Sequence, residues 1–361
     1  MSGLHRLLAP APHPTPTIIL MSFTPAFQKV YDRLQEMIES GSSDEEIQTF
    51  FKDSCMELGA YERLNNLYRV RPKHAVKGEA TRTTFFRMFP MQEKYWANRT
   101  NRDLILKMRQ GGVTTLKCLE AVDAALWELG TRSAIMADTL PHVKEYFQIT
   151  KLAFKWFQKD WGQFYPVGEE VDNVNALKIK ETGSGLLVCT NARGLSLDRL
   201  HIAEASFIDD DEIKDSIAAV PLSGQVTLET TADTASGYFY DCWEQANQDA
   251  YSIWKTHFFE WWVRYPEPED IPFLKSDANF KYTDEETILA KEHDLNREHI
   301  LWRRLKISEA KGDVGEFLRN YPEDAMTCFL SGASSVFSPD VLVALWGNER
   351  PPAFVGDLII K

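Results

Sequence analysis

The stretch from Leu104 to Gly130 places the strongest constraint on how this chain can fold. It opens with three apolar residues, continues as KMRQGGVTT over residues 107–115, and ends at Gly130, a glycine typical of a helix end. Between the loop and Gly130, apolar residues recur at helical spacing: Leu116, Leu119, Val122, Leu126 and Leu129. Strand, glycine loop and helix in this order are typical of a phosphate-binding loop, where backbone N–H groups and the helix dipole meet an anion.

The loop departs from the usual G-x-x-x-x-G-K-[ST] pattern, because Val113 stands where the lysine should be. Two interpretations follow from the residues alone. Either the stretch is not a phosphate loop, or its cation comes from elsewhere in the loop, and then Lys107 and Arg109 are the candidates. A threonine at the start of the helix can hold a magnesium ion.

The net charge and the cysteine spacing limit the classes of protein to which this chain can belong. The 361 residues suffice for two domains, and the net charge of −13 argues against a protein that coats nucleic acid with a basic surface, while a local basic groove is compatible with it. The widely separated cysteines predict reduced, mostly buried thiols in a cytosolic protein. They are Cys55, Cys118, Cys189, Cys242 and Cys328. No apolar run approaches membrane length.

The N-terminal part divides into a tail and a helical region. Residues 1–22 contain four prolines before a short apolar run, which predicts a disordered tail and not a signal peptide. Two helical patterns within residues 24–60 predict a helical region over 23–75. A basic stretch then holds a single acid, Glu79, and is interpreted either as a contact to DNA or to an acidic subunit, or as a plain solvated face. Its basic residues are Arg63, Arg69, Arg71, Lys73, Lys77, Arg82 and Arg87.

Strands and helices alternate after the loop helix. Short apolar strands are predicted at residues 133–137, 174–179 and 185–188, and Pro141 opens a helix between the first two. This alternation predicts an α/β fold with a mainly parallel sheet.

Two later stretches contain candidate site residues. Residues 197–205 form a short apolar strand that ends in Glu204, and an acid at the carboxyl edge of such a sheet can orient an attacking water. Ala203 stands where a magnesium-holding aspartate usually precedes that acid. The β-branched stretch 226–231 ends in Thr230 and Thr231, whose hydroxyls could sense a γ-phosphate. An ordinary strand-end acid, and threonines that merely suit a strand, are the alternatives.

Before the loop, Gln92 is placed to read an adenine edge by a bidentate hydrogen bond, although glutamines are common on helices. An aromatic cluster follows the second chemical stretch, and we interpret it as core and not as a platform for bases. Its members are Trp254, Phe258, Phe259, Trp261 and Trp262. Residues 266–271 resemble a linker. Thr283 and Glu286 predict a capping box at the start of one helix, and Asn296 predicts the start of the next helix.

Six segments in this order resemble the ATPase part of the terminase large subunit of tailed bacteriophages, an ATP-driven DNA-packaging motor. They are FPMQ (89–92), KMRQGGVTT (107–115), ARG with LHIAEASF (192–194, 200–207), ETTADTASGYFYDCW (229–243), HFFEWW (257–262) and RNYPEDAMTCFLSG (319–332). In the deviant phosphate loops of that family the lysine stands seven residues before the hydroxyl residue, and Lys107 and Thr114 keep this spacing.

The resemblance implies a P-loop NTPase core, a mainly parallel sheet flanked by helices, with helical N-terminal and linker subdomains. It implies an ATPase domain over 76–265, a helical linker over 266–340 and, at 341–361, the start of a truncated nuclease domain, so nuclease activity is not expected of this chain. It also implies site roles. Lys107 and Arg109 neutralise phosphate charge, Thr114 ligates magnesium, Glu204 positions the attacking water and Gln92 selects adenine. The residues implied to bind ATP are Gln92, Gln110, Gly111, Gly112, Val113, Thr114 and Thr115. The residues implied to couple hydrolysis to movement are Thr230, Thr231 and Ala232.

The implied cofactors are ATP and Mg²⁺. The implied partners are double-stranded DNA, the portal protein, the small terminase subunit and further copies in a ring on the procapsid, in the host cytoplasm and away from any membrane. An arginine finger from a neighbouring subunit is expected in such a ring, with Arg132 and Arg193 as candidates. The alternatives are a helicase-like nucleic-acid translocase and a catalytically inactive, truncated assembly partner.

Overall fold

The structure is a computed structural model that describes residues 23–72, 83–173, 175–274 and 280–330. The predicted tail, the predicted start of a further domain at 341–361 and part of the basic stretch (Lys73, Lys77 and Arg82) lie outside these residues. Two compact units divide the chain, one formed by Met1–Phe86 with Phe154–Pro166 and the other by Arg87–Ala153 with Val167–Lys361. The domain limits predicted from the sequence stay predictions.

The first unit is mainly helical. Helix α1 (Pro25–Glu39) starts at Thr24, whose side chain accepts a hydrogen bond from the Phe27 N–H, and has proline in its first turn. Helix α2 (Asp44–Leu67) starts with a capping box between Ser43 and Glu46. It changes course at Gly59, where φ is +79°. Two short antiparallel strands, β1 (Arg69–Val70) and β2 (Thr84–Phe85), complete this unit. Both helices predicted within residues 24–60 are therefore present.

Trp161 organises the core of the first unit. Its ring is fully buried, stacks on Phe51 at 5.5 Å between centroids and meets the edge of Phe27 at the same distance. The indole N–H donates to the Leu67 carbonyl, so the polar end of the ring is also satisfied. Burial of these large rings stabilises the two helices.

An eight-stranded sheet forms the centre of the second unit. In space the strands follow the order β10-β3-β9-β8-β4-β7-β6-β5. The strands are β3 (Arg102–Lys107), β4 (Arg132–Met136), β5 (Glu169–Asp172), β6 (Ala176–Ile179), β7 (Gly185–Cys189), β8 (Arg199–Ala203), β9 (Gln225–Thr230) and β10 (Lys255–Phe259). All pairs from β10 to β7 are parallel, whereas β6 runs antiparallel to both of its neighbours. The predicted mainly parallel sheet is confirmed.

The strand sequences explain this layered arrangement. Leu104, Ile105 and Leu106 of β3 are all fully buried, as expected of a parallel strand covered on both faces. The accompanying helices are α3 (Pro90–Asn98), α4 (Val113–Trp127), α5 (Leu140–Trp161), α6 (Asp210–Ile217) and α7 (Tyr238–Gln248). Because parallel strands end at one edge, the loops after β3, β8 and β9 meet there.

Short helices follow β10 and form the helical segment, the described residues 261–274 and 280–330. They are α8 (Asp284–Glu292), α9 (Arg297–Glu309), α10 (Val314–Asn320) and α11 (Ala325–Leu330). The predicted caps at Thr283 and Asn296 are confirmed. Trp302 lies at the centre, with Trp261 stacked at 5.0 Å and Tyr265 at 4.6 Å between centroids. The aromatic cluster is therefore core, as predicted, because Trp254, Phe259 and Trp261 are buried.

An ion pair joins the first two helices of this segment and makes its stability sensitive to acid. Arg304 donates to Glu286 from Nε at 2.7 Å and from Nη2 at 2.5 Å. Hydrogen bonds from Arg304 hold the pKa of Glu286 below its ordinary value of 4.5. Because the folded pKa lies below the unfolded value, the stabilisation is complete above pH 4.5 and is lost as the pH falls through the folded pKa.

We expect Glu286→Gln to destabilise this segment by about 1 to 2 kcal/mol at neutral pH. The difference from wild type should shrink in acid, because protonation removes the same charge from the wild type. Thermal unfolding followed by tryptophan fluorescence measures this difference in stability, since Trp261 and Trp302 lie in the segment. Glu285→Gln is the control, because Glu285 also pairs with an arginine, Arg303, at 2.9 Å, but its side chain is 73% exposed, so solvent weakens this pair. An equal loss in both variants would contradict the prediction.

No helix among the described residues is long and apolar enough to cross a membrane. None of the five cysteines, which all lie among the described residues, forms a disulfide, and all except the half-buried Cys189 are buried, as the sequence predicted.

Candidate functional site

The candidate phosphate loop lies at the carboxyl edge of the main sheet, between β3 and α4. Its backbone has positive φ at Gln110 and Gly112, 59° and 78°. A Cβ on Gly112 would lie 3.0 Å from Nε2 of Gln92, so both the left-handed backbone and the close side chain favour glycine there. Helix α4 begins at Val113 without a capping side chain. Its first turn therefore has the form of an anion-binding helix N-terminus.

Lys107 is the cation of this site. Its Nζ donates to Glu204 Oε1 at 3.1 Å and lies 3.8 Å from Glu229 Oε2. Burial would lower the pKa of this amine, but the two carboxylates outweigh burial and the pKa is raised above its ordinary value. The amine is therefore charged at physiological pH. Of the two candidate cations in the loop, Lys107 is the one that faces the acids.

Arg109 faces the helical segment instead. Its guanidinium Nη1 lies 3.4 Å from the side-chain oxygen of Asn320. Its backbone is held on both sides, because the Arg109 N–H donates to the Asn320 carbonyl at 2.7 Å and the Arg109 carbonyl accepts from the Tyr265 hydroxyl at 3.2 Å. The structure thus ties the middle of the phosphate loop to the helical segment, and the phosphate contact predicted for Arg109 stays a prediction.

Glu204 follows the last residue of β8 and has a left-handed backbone, with φ of 55°. A residue with a Cβ adopts this conformation only where the surroundings enforce it, and such residues concentrate at functional sites. Oε1 accepts from Lys107, while Oε2 lies 3.4 Å from the N–H and 3.5 Å from the hydroxyl of Thr231. The carboxylate therefore bridges the phosphate loop and the end of β9.

The stretch from Thr230 to Ala232, which is predicted to couple hydrolysis to movement, contacts the segment that follows β8. Thr230 Oγ1 donates to the Thr231 carbonyl at 2.7 Å and accepts from the Ser206 N–H at 3.2 Å. Thr231 and Ala232 are both buried. A change in the position of Glu204 therefore alters hydrogen bonds of the residues that follow β9.

Glu229 is a site residue that the sequence analysis missed. It is fully buried in β9, accepts a hydrogen bond from the Thr114 hydroxyl on Oε1, and has His201 Nε2 at 3.1 Å from the same oxygen. Burial would raise the pKa of Glu229, but Lys107 and His201 outweigh burial and the pKa is lowered. In the sequence, a charged residue inside the β-branched stretch 226–231 was the one feature that could have marked Glu229 as a site residue.

The other predicted loop residues lie as follows. Thr114 and Thr115 are half-buried in the first turn of α4, and Val113 is buried beside them. Gln92 is buried, donates from Nε2 to the Gly112 carbonyl at 2.7 Å and accepts from the Phe89 N–H at 2.9 Å. Gln92 thus contacts the loop itself, and its selection of adenine stays a prediction.

The two candidate arginine fingers are exposed. Arg132 begins β4, at the sheet edge opposite the phosphate loop, and its side chain lies 4.0 Å from Asp198. Arg193 lies after β7, toward the carboxyl edge, 3.3 Å from Asp215. Their role toward a neighbouring subunit stays a prediction.

The site combines a buried cation, an uncapped helix N-terminus and two carboxylates of different exposure. Lys107 and the N–H groups of α4 can neutralise an anion such as a phosphate. The Glu204 side chain is 24% exposed and can reach a water molecule, whereas the Glu229 side chain is fully buried. Charge neutralisation and a carboxylate that can reach water are the elements that phosphoryl transfer uses.

The fold can be compared with solved structures. The large terminase of bacteriophage HK97 matches over 73% of this chain and 53% of its own, with 14% sequence identity and a TM-score of 0.50. The chain has the fold of a phage large terminase. It spans about half the length of the HK97 protein. The predicted α/β fold, a mainly parallel sheet flanked by helices, is confirmed.

Two further terminase structures show weaker similarity. The ATPase domain of the Thermus phage P74-26 large terminase matches over 65% of this chain and 93% of its own, at 15% identity and a TM-score of 0.45. The large terminase of another thermophilic bacteriophage, in complex with ATP-γ-S, matches over 53% of this chain and 50% of its own, at 12% identity and a TM-score of 0.40. No protein-family model and no curated protein matches the sequence.

Proposed function

We propose that this chain is the ATPase motor of a phage terminase, which couples ATP hydrolysis to translocation of double-stranded DNA into a procapsid. The observation that carries the proposal is the contact of Lys107 with Glu204, 3.1 Å apart at the end of the phosphate loop. This contact supports the proposal, because it brings the displaced loop lysine within hydrogen-bond distance of the strand-end acid.

Nucleotide binding rests on the loop between β3 and α4. Lys107 and the first turn of α4 would neutralise the β- and γ-phosphates, and Gln92 would contact adenine from beside the loop. Thr114 would hold magnesium, since the hydroxyl of Thr114 and the carboxylate of Glu229 are within hydrogen-bond distance and oxygen ligands suit this ion. Bound magnesium would neutralise phosphate charge. Among the described residues no group of three His, Cys, Asp or Glu could hold a metal.

Hydrolysis and coupling rest on Glu204. Its partly exposed carboxylate would orient the attacking water, as an acid at the carboxyl edge of the sheet can. Because Glu204 also contacts Thr231, a change of the carboxylate after hydrolysis would alter the segment Thr230–Ala232. We assign the coupling role to these residues.

The similarity of the fold to a phage large terminase supports the packaging role. The proposed partners are double-stranded DNA, the portal protein, the small terminase subunit and further copies of this chain in a ring on the procapsid, in the host cytoplasm. A net charge of −13 is compatible with this role, because a ring needs only a local basic lining around DNA. Arg132 or Arg193 would supply the arginine finger to a neighbouring copy.

ATP hydrolysis by the purified chain tests the proposal. We expect magnesium-dependent hydrolysis that rises when procapsids carrying the portal protein are added. Stimulation by nucleic acid with no effect of procapsids would indicate a helicase-like translocase instead. Calorimetry that detects no nucleotide binding would contradict the enzyme assignment and favour an inactive assembly partner.

A further inference from the structure

Glu229 is a buried carboxylate beside the position at which this chain lacks an acid. The sequence has Ala203 where a magnesium-holding aspartate usually precedes the catalytic acid, so β8 provides no carboxylate there. In the sheet, however, Ala203 and Glu229 are directly paired residues of the parallel strands β8 and β9. Paired residues on adjacent strands share one face of the sheet, with strands about 4.8 Å apart. The carboxylate absent from β8 is therefore present one strand away.

The neighbouring strand brings this carboxylate to the phosphate loop. β9 lies between β8 and β3 in the sheet, so Glu229 is one strand nearer to the loop than Ala203 is. Its Oε1 accepts the hydrogen bond from Thr114, the residue proposed to hold magnesium. Both the hydroxyl and the acid of a magnesium site thus meet at the start of α4.

The second oxygen of Glu229 distinguishes this residue from an ordinary core ion pair. Oε2 is buried and accepts no hydrogen bond from the described residues. Lys107 Nζ lies 3.8 Å away, beyond hydrogen-bond distance. A buried carboxylate oxygen without a hydrogen bond is costly unless it binds something in the working protein.

His201 orients the carboxylate. It lies two residues before Ala203 on β8, which places both side chains on the same face. Its Nε2 lies 3.1 Å from Glu229 Oε1, and the imidazole is buried. With the proton on Nε2, His201 donates to the acid and fixes its direction, as partners of metal-site carboxylates do. His201 is thus a positioning residue.

We propose that Glu229, held by His201, is the magnesium-site carboxylate of this chain and replaces the acid absent at Ala203. The inference rests on the proposed function, because it concerns the metal that accompanies the nucleotide. It adds a residue from the coupling strand to the metal site. The metal, the hydroxyl and the strand that leads to Thr230 and Thr231 would then be directly connected.

Metal affinity separates this role from a purely structural one. Titration of Mn²⁺ into the ADP complex, followed by electron paramagnetic resonance, measures it without catalysis. We expect Glu229→Gln to weaken Mn²⁺ binding by about tenfold or more. ADP affinity in EDTA should stay within about twofold of wild type, because the amide keeps the shape of the side chain.

Glu204→Gln is the matched control. It also removes one negative charge beside Lys107, but Glu204 does not contact Thr114, so Mn²⁺ affinity should be unchanged. The double variant Ala203→Asp with Glu229→Gln moves the carboxylate back to β8 and should recover part of the lost affinity. If Glu229→Gln does not fold, Glu229→Asp replaces it, with weakened Mn²⁺ binding and unchanged ADP binding in EDTA as the expected result.

The outcomes separate two failures. If the wild-type chain binds ADP and Mn²⁺ and Glu229→Gln binds Mn²⁺ equally well, the role of Glu229 is wrong and the proposed ATPase stands. Equal weakening of Mn²⁺ binding in Glu204→Gln also overturns the inference, since any charge near Lys107 would then suffice. If the wild-type chain binds no nucleotide at all, the proposed function itself fails.

Discussion

Lys107→Ala is expected to lower ATP hydrolysis at least about tenfold, in line with the loss of one charge that stabilises a transition state. The amine is 3% exposed and lies between Glu204 and Glu229. Its removal deletes the cation of the loop and leaves two neighbouring carboxylates without a counter-charge. Steady-state phosphate release at saturating ATP measures the effect. Because the pKa of Lys107 is raised, the deficit should not vary between neutral and mildly alkaline pH.

Two controls isolate the position of the charge. Lys117→Ala removes a lysine from the same unit, on α4, where its amine pairs with Glu120 at 2.5 Å, and should leave hydrolysis within about twofold. Thermal unfolding of Lys107→Ala is needed as well, because breaking a buried ion pair costs about 3 to 5 kcal/mol. A folded Lys107→Ala variant with wild-type turnover would contradict the role of Lys107.

Glu204→Gln is expected to lower turnover at least about tenfold while leaving nucleotide affinity nearly unchanged. The amide keeps an oxygen for the Thr231 N–H but loses the charge that orients water. Calorimetry with ATP-γ-S and a hydrolysis assay on the same preparation separate binding from chemistry. The expected signature is a fall in kcat with little change in affinity.

Asp138→Asn is the matched control for this prediction. Asp138 follows the neighbouring strand β4, at the same sheet edge, and its carboxylate pairs with His142 at 2.5 Å and not with Lys107. Turnover should stay within about twofold in this variant. If Glu204→Gln keeps wild-type turnover, or if Asp138→Asn loses as much, another residue must position the water.

Local patterns were sufficient for the elements that bear the site. The apolar run before Lys107 and the helical spacing after Gly112 predicted β3 and α4, which are present. The strand that ends before Glu204 was also predicted, because a short apolar run followed by an acid is a local signal. The spacing of Lys107 and Thr114 placed both residues in one loop.

No role could be assigned to Glu229 from the sequence, because the role proposed for it depends on which strand lies beside β9. Only the pairing of β9 with β8 sets Glu229 against Ala203, and that register is a property of the assembled sheet. The strand β10 was also missed, since the run HFFEWW lacks the alternation that marks a strand. Likewise, the hydrogen bonds that Arg109 donates to Asn320 and accepts from Tyr265 join residues far apart in the chain.

The double attachment of Arg109 has a mechanical consequence. Because Asn320 binds its N–H and Tyr265 its carbonyl, the loop cannot slide past the helical segment without breaking both hydrogen bonds. Tyr265 in turn stacks on Trp302, the central ring of that segment. In the proposed ATPase, a movement of the loop on phosphate release would therefore reach the helical segment through these two hydrogen bonds.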